Sequence, residues 1–381
     1  MQADKNTSIF LKDLADITMG QSPAGSSMNE RTGMEFHQGK TNFGSVFLNC
    51  SKVKTNAPTK MANKDDIVIC VRAPVGVVNI TNRKICIGRG LAALSPKELV
   101  DRDYLFYALQ ASQKAVEKLA AGSTFSSIPG PELCKLELPK QTYEKQKSIG
   151  RALSSADKAI AILEKQISKY ENIKKSTKKM LLTPKPGWKK FLLGDICDVS
   201  GAGVDKKIHP NEERVILLNY LDVYHKTYVH KSGLDHVVSA KAKQKNRCSV
   251  RKNDIFFTPS SETPDDIAKS CVAMEDMQDV AYSYHIIRAR PKIPCNSLFV
   301  KYACSTHDFF AQAETACVGS GKRYVISLSK FREFSIFVPE IAEQNIIAKS
   351  LYDMDMQIEQ LKQQLAKVQK VKQGMMSYFF G

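Results

Sequence analysis

No stretch of this 381-residue chain approaches the eighteen apolar residues of a membrane-crossing helix, and Met1-Gln2-Ala3-Asp4-Lys5 has no signal-peptide pattern. No membrane partner is expected. Ten cysteines are scattered without one C-x-x-C pair, so neither a zinc ribbon nor a disulfide framework is indicated, and buried free thiols are the simple reading. Catalytic signatures are equally scarce. Gly33 through Thr41 looks like a phosphate loop but has five residues between its glycines where four are needed. Gly201-Ala202-Gly203 and Gly319-Ser320-Gly321 lack the third glycine of a dinucleotide fingerprint, and no N-P-P-[YFW] methyltransferase loop occurs. Pro264-Asp265 has no downstream acid-x-Lys partner, and His225, His230 and His236 are spaced by five and six, which matches no helical zinc pair. The chain is expected to read rather than to catalyse, with no cofactor or metal of its own.

Acids are the other deficit. Fifty-six Lys and Arg against thirty-nine Asp and Glu leave a net charge of +17, and the 43% hydrophobic content suffices for real cores, so a polyanionic partner is favoured over disorder. Lys140–Lys190 holds fourteen cations and four acids, whereas Glu340–Gly381 has five of each. That run is either a solvated face or a basic rail, with Arg151, Lys158, Lys165 and Lys179 at the heptad position farthest from the seam.

What is present is a heptad written twice. Ile149, Leu153, Ala156, Ile160, Leu163, Ile167, Tyr170, Lys174, Thr177 and Leu181 alternate by four and three. Displaced by 198 stand Ile347, Leu351, Met354, Ile358, Leu361, Leu365, Val368, Lys372, Met375 and Phe379, with Lys at the same place in both copies. The repeat extends to Leu11–Ile17 against Leu193–Val199, Asp66-Ile67-Val68 against Asp254-Ile255-Phe256, and Leu136–Pro139 against Ile336–Pro339, at drifting offsets. Ile67–Val71, Ile255–Phe257 and Val280–Ile287 read as strands; Tyr104–Leu119 and Ser297–Gln312 read as helices. The expectation is an α/β (α+β) fold with a pseudo-twofold internal repeat: globular parts at 1–141 and 191–340, long helices at 142–182 and 341–381, and a stiff linker at 183–190. Antiparallel packing of those helices would form a coiled-coil rod of roughly 50 Å, against 34–36 Å for one turn of B-DNA.

Three groups of residues carry a family resemblance. Gly20–Ser27, Gln38-Gly39-Lys40, Arg72–Gly76 and Gly88–Ala92 look like one class of target-recognition domain, and Thr258–Ile267 looks like another. Gln146-x-x-Ile149-x-x-x-Leu153 and Glu343-Gln344-x-x-Ile347-x-x-x-Leu351 resemble the start of the family's helices. The chain resembles the specificity subunit of type I restriction–modification systems. It departs from the usual Gly-Asp before the buried strand, with Asp65-Asp66 and Asn253-Asp254, and Lys145 stands where Glu343 stands in the other half. The resemblance implies a non-catalytic subunit reading a bipartite, asymmetric site in double-stranded DNA, one half per domain. It also implies two docked methyltransferase subunits and motor–endonuclease subunits, which hold the S-adenosylmethionine, ATP and Mg, in a bacterial or archaeal cytoplasm. A specificity subunit acting as a modulator, a self-contained restriction enzyme and a coiled-coil scaffold are the alternatives.

Base reading needs Arg for guanine and Asn or Gln for adenine. In the first domain the candidates are Gln21, Ser22, Gln38, Lys40, Arg72 and Arg89, in Gly/Pro-punctuated loops. In the second they are Asn219, Tyr220, Ser260, Ser261, Glu262, Lys322, Arg323 and Tyr324. Gly319–Tyr324 reads as a phosphate clamp, and Gly122–Ser127 is its uncharged counterpart. Lys241, Lys243, Lys245 and Arg247 suit backbone contacts, and Trp188 suits a staple on the linker.

Overall fold

In a computed structural model, which describes residues 8–121 and 127–381, the chain divides into two units. One runs up to Ile167 and includes Leu361–Gly381; the other is Ser168–Gln360. Of the 122–127 loop only Ser127 lies within the described residues.

The first unit is built on β1 (Ala15–Met19), β2 (Met34–His37), β3 (Ile67–Cys70), β4 (Val78–Ile80), β5 (Ile85–Ile87) and β6 (Leu91–Pro96). A four-stranded antiparallel sheet has the order β1-β6-β3-β4, and β2 pairs in parallel with β5 in a neighbouring sheet. The unbroken apolar run of β3 has a direct cause. Ile67, Ile69 and Val71 join a core with Tyr104, Leu105, Ile149 and Leu153, whereas Val68 and Cys70 join another with Leu48, Ile85 and Ile87. A strand buried on both faces cannot alternate with polar residues.

The second unit repeats this arrangement. Its strands are β7 (Cys197–Ser200), β8 (Glu213–Leu218), β9 (Ile255–Phe257), β10 (Ser260–Ser261), β11 (Ser270–Ala273), β12 (Met277–Tyr282) and β13 (Ile287–Pro291). On β9, Ile255 and Phe257 face one core and Phe256 another. The residues before Asp66 and Asp254 have left-handed backbone, φ 72° at Asp65 and 71° at Asn253. Asp and Asn tolerate that region, so the departures from the family's glycine are conformationally sound.

Four sequence expectations change. The helix read over Tyr104–Leu119 is two, α1 (Arg102–Ala111) and α2 (Gln113–Ala121), because Ser112 leaves helical geometry at ψ 9°. The helix read over Ser297–Gln312 is also two, α3 (Ser297–Ala303) and α4 (His307–Ala316). Thr306 divides them: its hydroxyl donates to the Ala303 carbonyl at 2.9 Å and accepts from the Phe309 amide at 3.4 Å. The strand read over Val280–Ile287 stops at Tyr282, and a turn closed by Ile286 N–H to Ser283 carbonyl carries the chain from one sheet to another. Lys189 and Lys190, read as linker, begin a strand that pairs with Ser335–Val338. Trp188 is half-buried beside Phe299 and donates to Glu343 at 3.2 Å, the staple role.

The long helices are Tyr143–Leu182 and Ile341–Phe380, forty residues each. Every seam position is buried or half-buried except Tyr170. In the first unit the start of one helix (Ile149, Leu153) shares a core with the end of the other (Met375, Phe379); in the second, Leu182 shares a core with Ile347 and Leu351. The helices are therefore antiparallel within each unit.

Polar groups fix that register. Lys372 donates to Asp157 at 2.6 Å in the first unit, and Lys174 pairs with Asp355 in the second, both partners displaced by the same 198. Tyr107 of α1 donates to Asp157 at 2.6 Å, and Tyr302 of α3 donates to Asp355 at 2.7 Å, so each carboxylate also holds a globular domain. Gln146 and Gln344 repeat the device: each side-chain carbonyl accepts at 3.0 Å the backbone N–H of the residue capping α1 or α3, Asp101 or Asn296.

The second unit carries more charge. Tyr228 also donates to Asp355 at 2.8 Å, Lys178 donates to the Ser305 carbonyl, and Lys301 is buried with its ammonium 4.9 Å from the Tyr302 ring. Burial pushes the Lys301 pKa down to about 8; Asp355 opposes the shift, and Lys174 and Lys178 reinforce it. A lysine whose folded pKa is depressed is penalised fully below that value, and the penalty fades as pH rises toward the unfolded value. Lys301→Met is accordingly expected to stabilise the protein by about 2–3 kcal/mol at pH 7. The gap should close between pH 8 and 10.5 in paired denaturation curves; a pH-independent gap would contradict the assignment.

Candidate nucleic-acid interface

In the first unit three segments converge on the turn between β5 and β6. Gly20 N–H donates to the Leu91 carbonyl, Gln21 N–H to Ile87, Gly88 N–H to His37 and Val71 N–H to Gly90. The approach is close enough to demand glycine, since a Cβ on Gly20 would lie 2.2 Å from the Gly88 carbonyl oxygen. This hub gathers Gln21, Gln38, Lys40, Arg72 and Arg89, all exposed. Among the described residues Lys40, Arg72 and Arg89 have no ion pair, and the two glutamine amides have no hydrogen-bond partner. Ser22 differs: its hydroxyl is buried without a partner, against the position where Gly88 leaves room.

A charged network not evident in the sequence supports the hub. Arg83 grips Glu35 of β2 with two bonds, 3.0 and 2.6 Å, and Ser51 N–H and His37 add to the same carboxylate. Burial pushes the Glu35 pKa up, but these donors outweigh it and bring the value to about 2. The strand that delivers Gln38 and Lys40 is thereby fixed at its middle. Only the three-dimensional fold joins residues 35 and 83.

In the second unit an open cleft of about 380 Å³ is lined by Tyr220, Ser260, Ser261, Glu262, Lys322 and Arg323 among others. Lys322 and Arg323 sit at the tip of a hairpin, Val318–Ser320 paired with Arg323–Val325, turned by Gly321 at φ 69°. The hairpin adds to β10 through Ser260 opposite Val325 and Ser261 opposite Tyr324. Sequence reading missed three lining residues: Lys206, Leu221 and His285. Burial, helped by Lys206 and Arg323, pushes the His285 pKa down.

Two candidates lie elsewhere. Asn219 caps the helix Tyr220–His225 and its amide meets His236 at 2.9 Å, so its side chain is committed. Tyr324 is half-buried and packs on the core beneath the hairpin. Of the basic strip, Lys245 is neutralised by Glu213 at 3.0 Å and Asp279 at 2.5 Å. Arg151, Lys158, Lys165 and Lys179 are exposed, without ion pairs among the described residues.

Known proteins share this chain's sequence and fold. Residues 4–172 and 185–370 match the family model for the type I restriction modification DNA specificity domain. The putative type I restriction enzyme MjaX specificity subunit of Methanocaldococcus jannaschii is 43% identical over 171 residues, 44% of this chain and 40% of that protein. The MjaIX specificity subunit of the same organism is 30% identical over 112 residues, 29% of this chain and 26% of that one. The matched region thus spans less than half the length of these curated relatives. The fold is that of the S subunit of a type I restriction-modification system from M. genitalium, at 17% identity and a TM-score of 0.68, covering 100% of this chain and 98% of that chain.

Because the Glu35 pKa lies below its unfolded value, its stabilisation is present above pH 4.5 and lost as pH falls toward 2. Glu35→Gln should cost about 2–3 kcal/mol at pH 7 and almost nothing at pH 2. Equal losses at both pH values would show that the carboxylate charge is irrelevant.

Proposed function

This chain belongs to the type I restriction modification DNA specificity family, and we propose that each of its units reads one half of a split, asymmetric site in double-stranded DNA. One observation carries the reading. Two units with the same double-faced central strand and the same helix tether present different exposed groups: Gln21, Gln38, Lys40, Arg72 and Arg89 in one, Lys206, Glu262, Lys322 and Arg323 in the other. A shared frame with different tips suits two different sequences.

The exposed cations without ion pairs neutralise phosphates and set orientation, and groups that also reach base edges set preference. Arg72 and Arg89 have the planar fork that guanine accepts, and Gln21 and Gln38 the paired donor and acceptor that match adenine. Ser260 and Ser261 supply hydroxyls at the second surface, whereas the Ser22 hydroxyl is buried. The long helices dock two methyltransferase subunits, which hold S-adenosylmethionine and methylate adenine. ATP- and Mg-dependent motor–endonuclease subunits join for cleavage. This chain carries specificity and no cofactor.

Mapping methylated adenines in the host genome, with and without the gene, tests the reading. A bipartite motif that disappears with the gene is expected; an unchanged methylation pattern would contradict it. Arg72→Ala should relax one half-site only, at a cost of about 1–3 kcal/mol. Equal weakening on every sequence would make Arg72 a phosphate contact.

A further inference from the structure

Glu262 is out of place on a phosphate-binding surface. It is exposed in the cleft with Lys206, Lys322 and Arg323, yet it makes neither an ion pair nor a hydrogen bond among the described residues. Duplex DNA carries one negative charge per about 1.7 Å, so a carboxylate facing the backbone would be repelled. A carboxylate that DNA tolerates here must face a donor instead. The donors in the major groove are the exocyclic amines of adenine and cytosine.

Leu221 lines the same cleft and is 62% exposed. The one methyl group in the major groove belongs to thymine. An adenine–thymine pair therefore offers an amine for Glu262 and a methyl for Leu221 on a single edge, whereas cytosine–guanine offers only the amine. The two side chains are held as a set. Tyr220, beside Leu221, donates its hydroxyl to the Ser260 carbonyl at 2.6 Å, and Ser261 donates to the Thr263 carbonyl at 2.5 Å across the turn that presents Glu262.

Resting on the DNA-reading function above, we propose that Glu262 and Leu221 determine specificity for one adenine–thymine pair. Glu262 accepts from the adenine amine and Leu221 covers the thymine methyl.

Selection of the full chain against a randomised duplex pool, with wild type, Glu262→Ala, Glu262→Gln and Leu221→Ala, tests this. Wild type should require adenine–thymine at one position of the second half-site. Glu262→Ala should lose that preference by about 10-fold or more, while Glu262→Gln, whose amide accepts and donates to adenine, keeps it. Replacing that thymine by uracil should weaken wild type by about fourfold and leave Leu221→Ala unaffected. If both Glu262 variants bind every sequence more tightly with unchanged preference, the carboxylate faces the backbone and the proposal is overturned. Unchanged preference in Glu262→Ala, or an equal uracil effect in Leu221→Ala, also overturns it. Should wild type select no sequence at all, the DNA-reading function itself fails. Intact selection at the first half-site with a negative result at the second defeats this inference alone.

Discussion

A lysine–aspartate pair inside an apolar helix seam anchors each unit. Lys372 and Lys174 place charges where the heptad calls for hydrocarbon, and Asp157 and Asp355 pair with them from beside the seam. Such a half-buried pair adds little net stability over apolar residues, but removing one partner leaves the other charge poorly hydrated and costs about 1–3 kcal/mol. Any register other than the observed one leaves both charges without partners. Because Tyr107 and Tyr302 spend their hydroxyls on the same carboxylates, a shift of either helix also disturbs the recognition domain it carries.

Each domain is built outward from that tether. A central strand apolar on both faces separates two cores, only one of which includes residues of the long helices. The strand is rigid because neither face meets water, and it delivers Arg72 just beyond its end in one unit and Ser260 in the other. Surface loops tolerate inserted and deleted residues that a packed helix seam does not, which accounts for the drifting offsets between the halves and the constant 198 between the helices.

Periodicity made the helices legible. The repeated lysine in the seam was also visible, but Asp157 and Asp355 lie off the a and d positions, and nothing local marks them as its partners. Ile67–Val71 announced a buried strand through composition, while Ser112 and Thr306 interrupt helices that hydropathy alone would run through. Asn219 looked like a base reader because Asn is an adenine-binding residue; it is equally a helix cap, and only the backbone distinguishes the two. Lys206, Leu221 and His285 were invisible as site residues since they come from three separate segments joined by the fold. Glu35 and Arg83 escaped for the same reason.

The charge distribution is divided in the same way. Lys174, Lys372 and Lys301 are spent on structure near the tethers, whereas Lys40, Arg72, Arg89, Lys206, Lys322 and Arg323 have no ion pair among the described residues. Native-state hydrogen exchange on Asp157→Asn and Asp355→Asn tests the tether directly. Asp157→Asn should speed exchange in Arg102–Ala111 and spare Ser297–Ala303, and Asp355→Asn should do the reverse. Unaltered protection of both segments in both variants would contradict the claim that these carboxylates hold the domains.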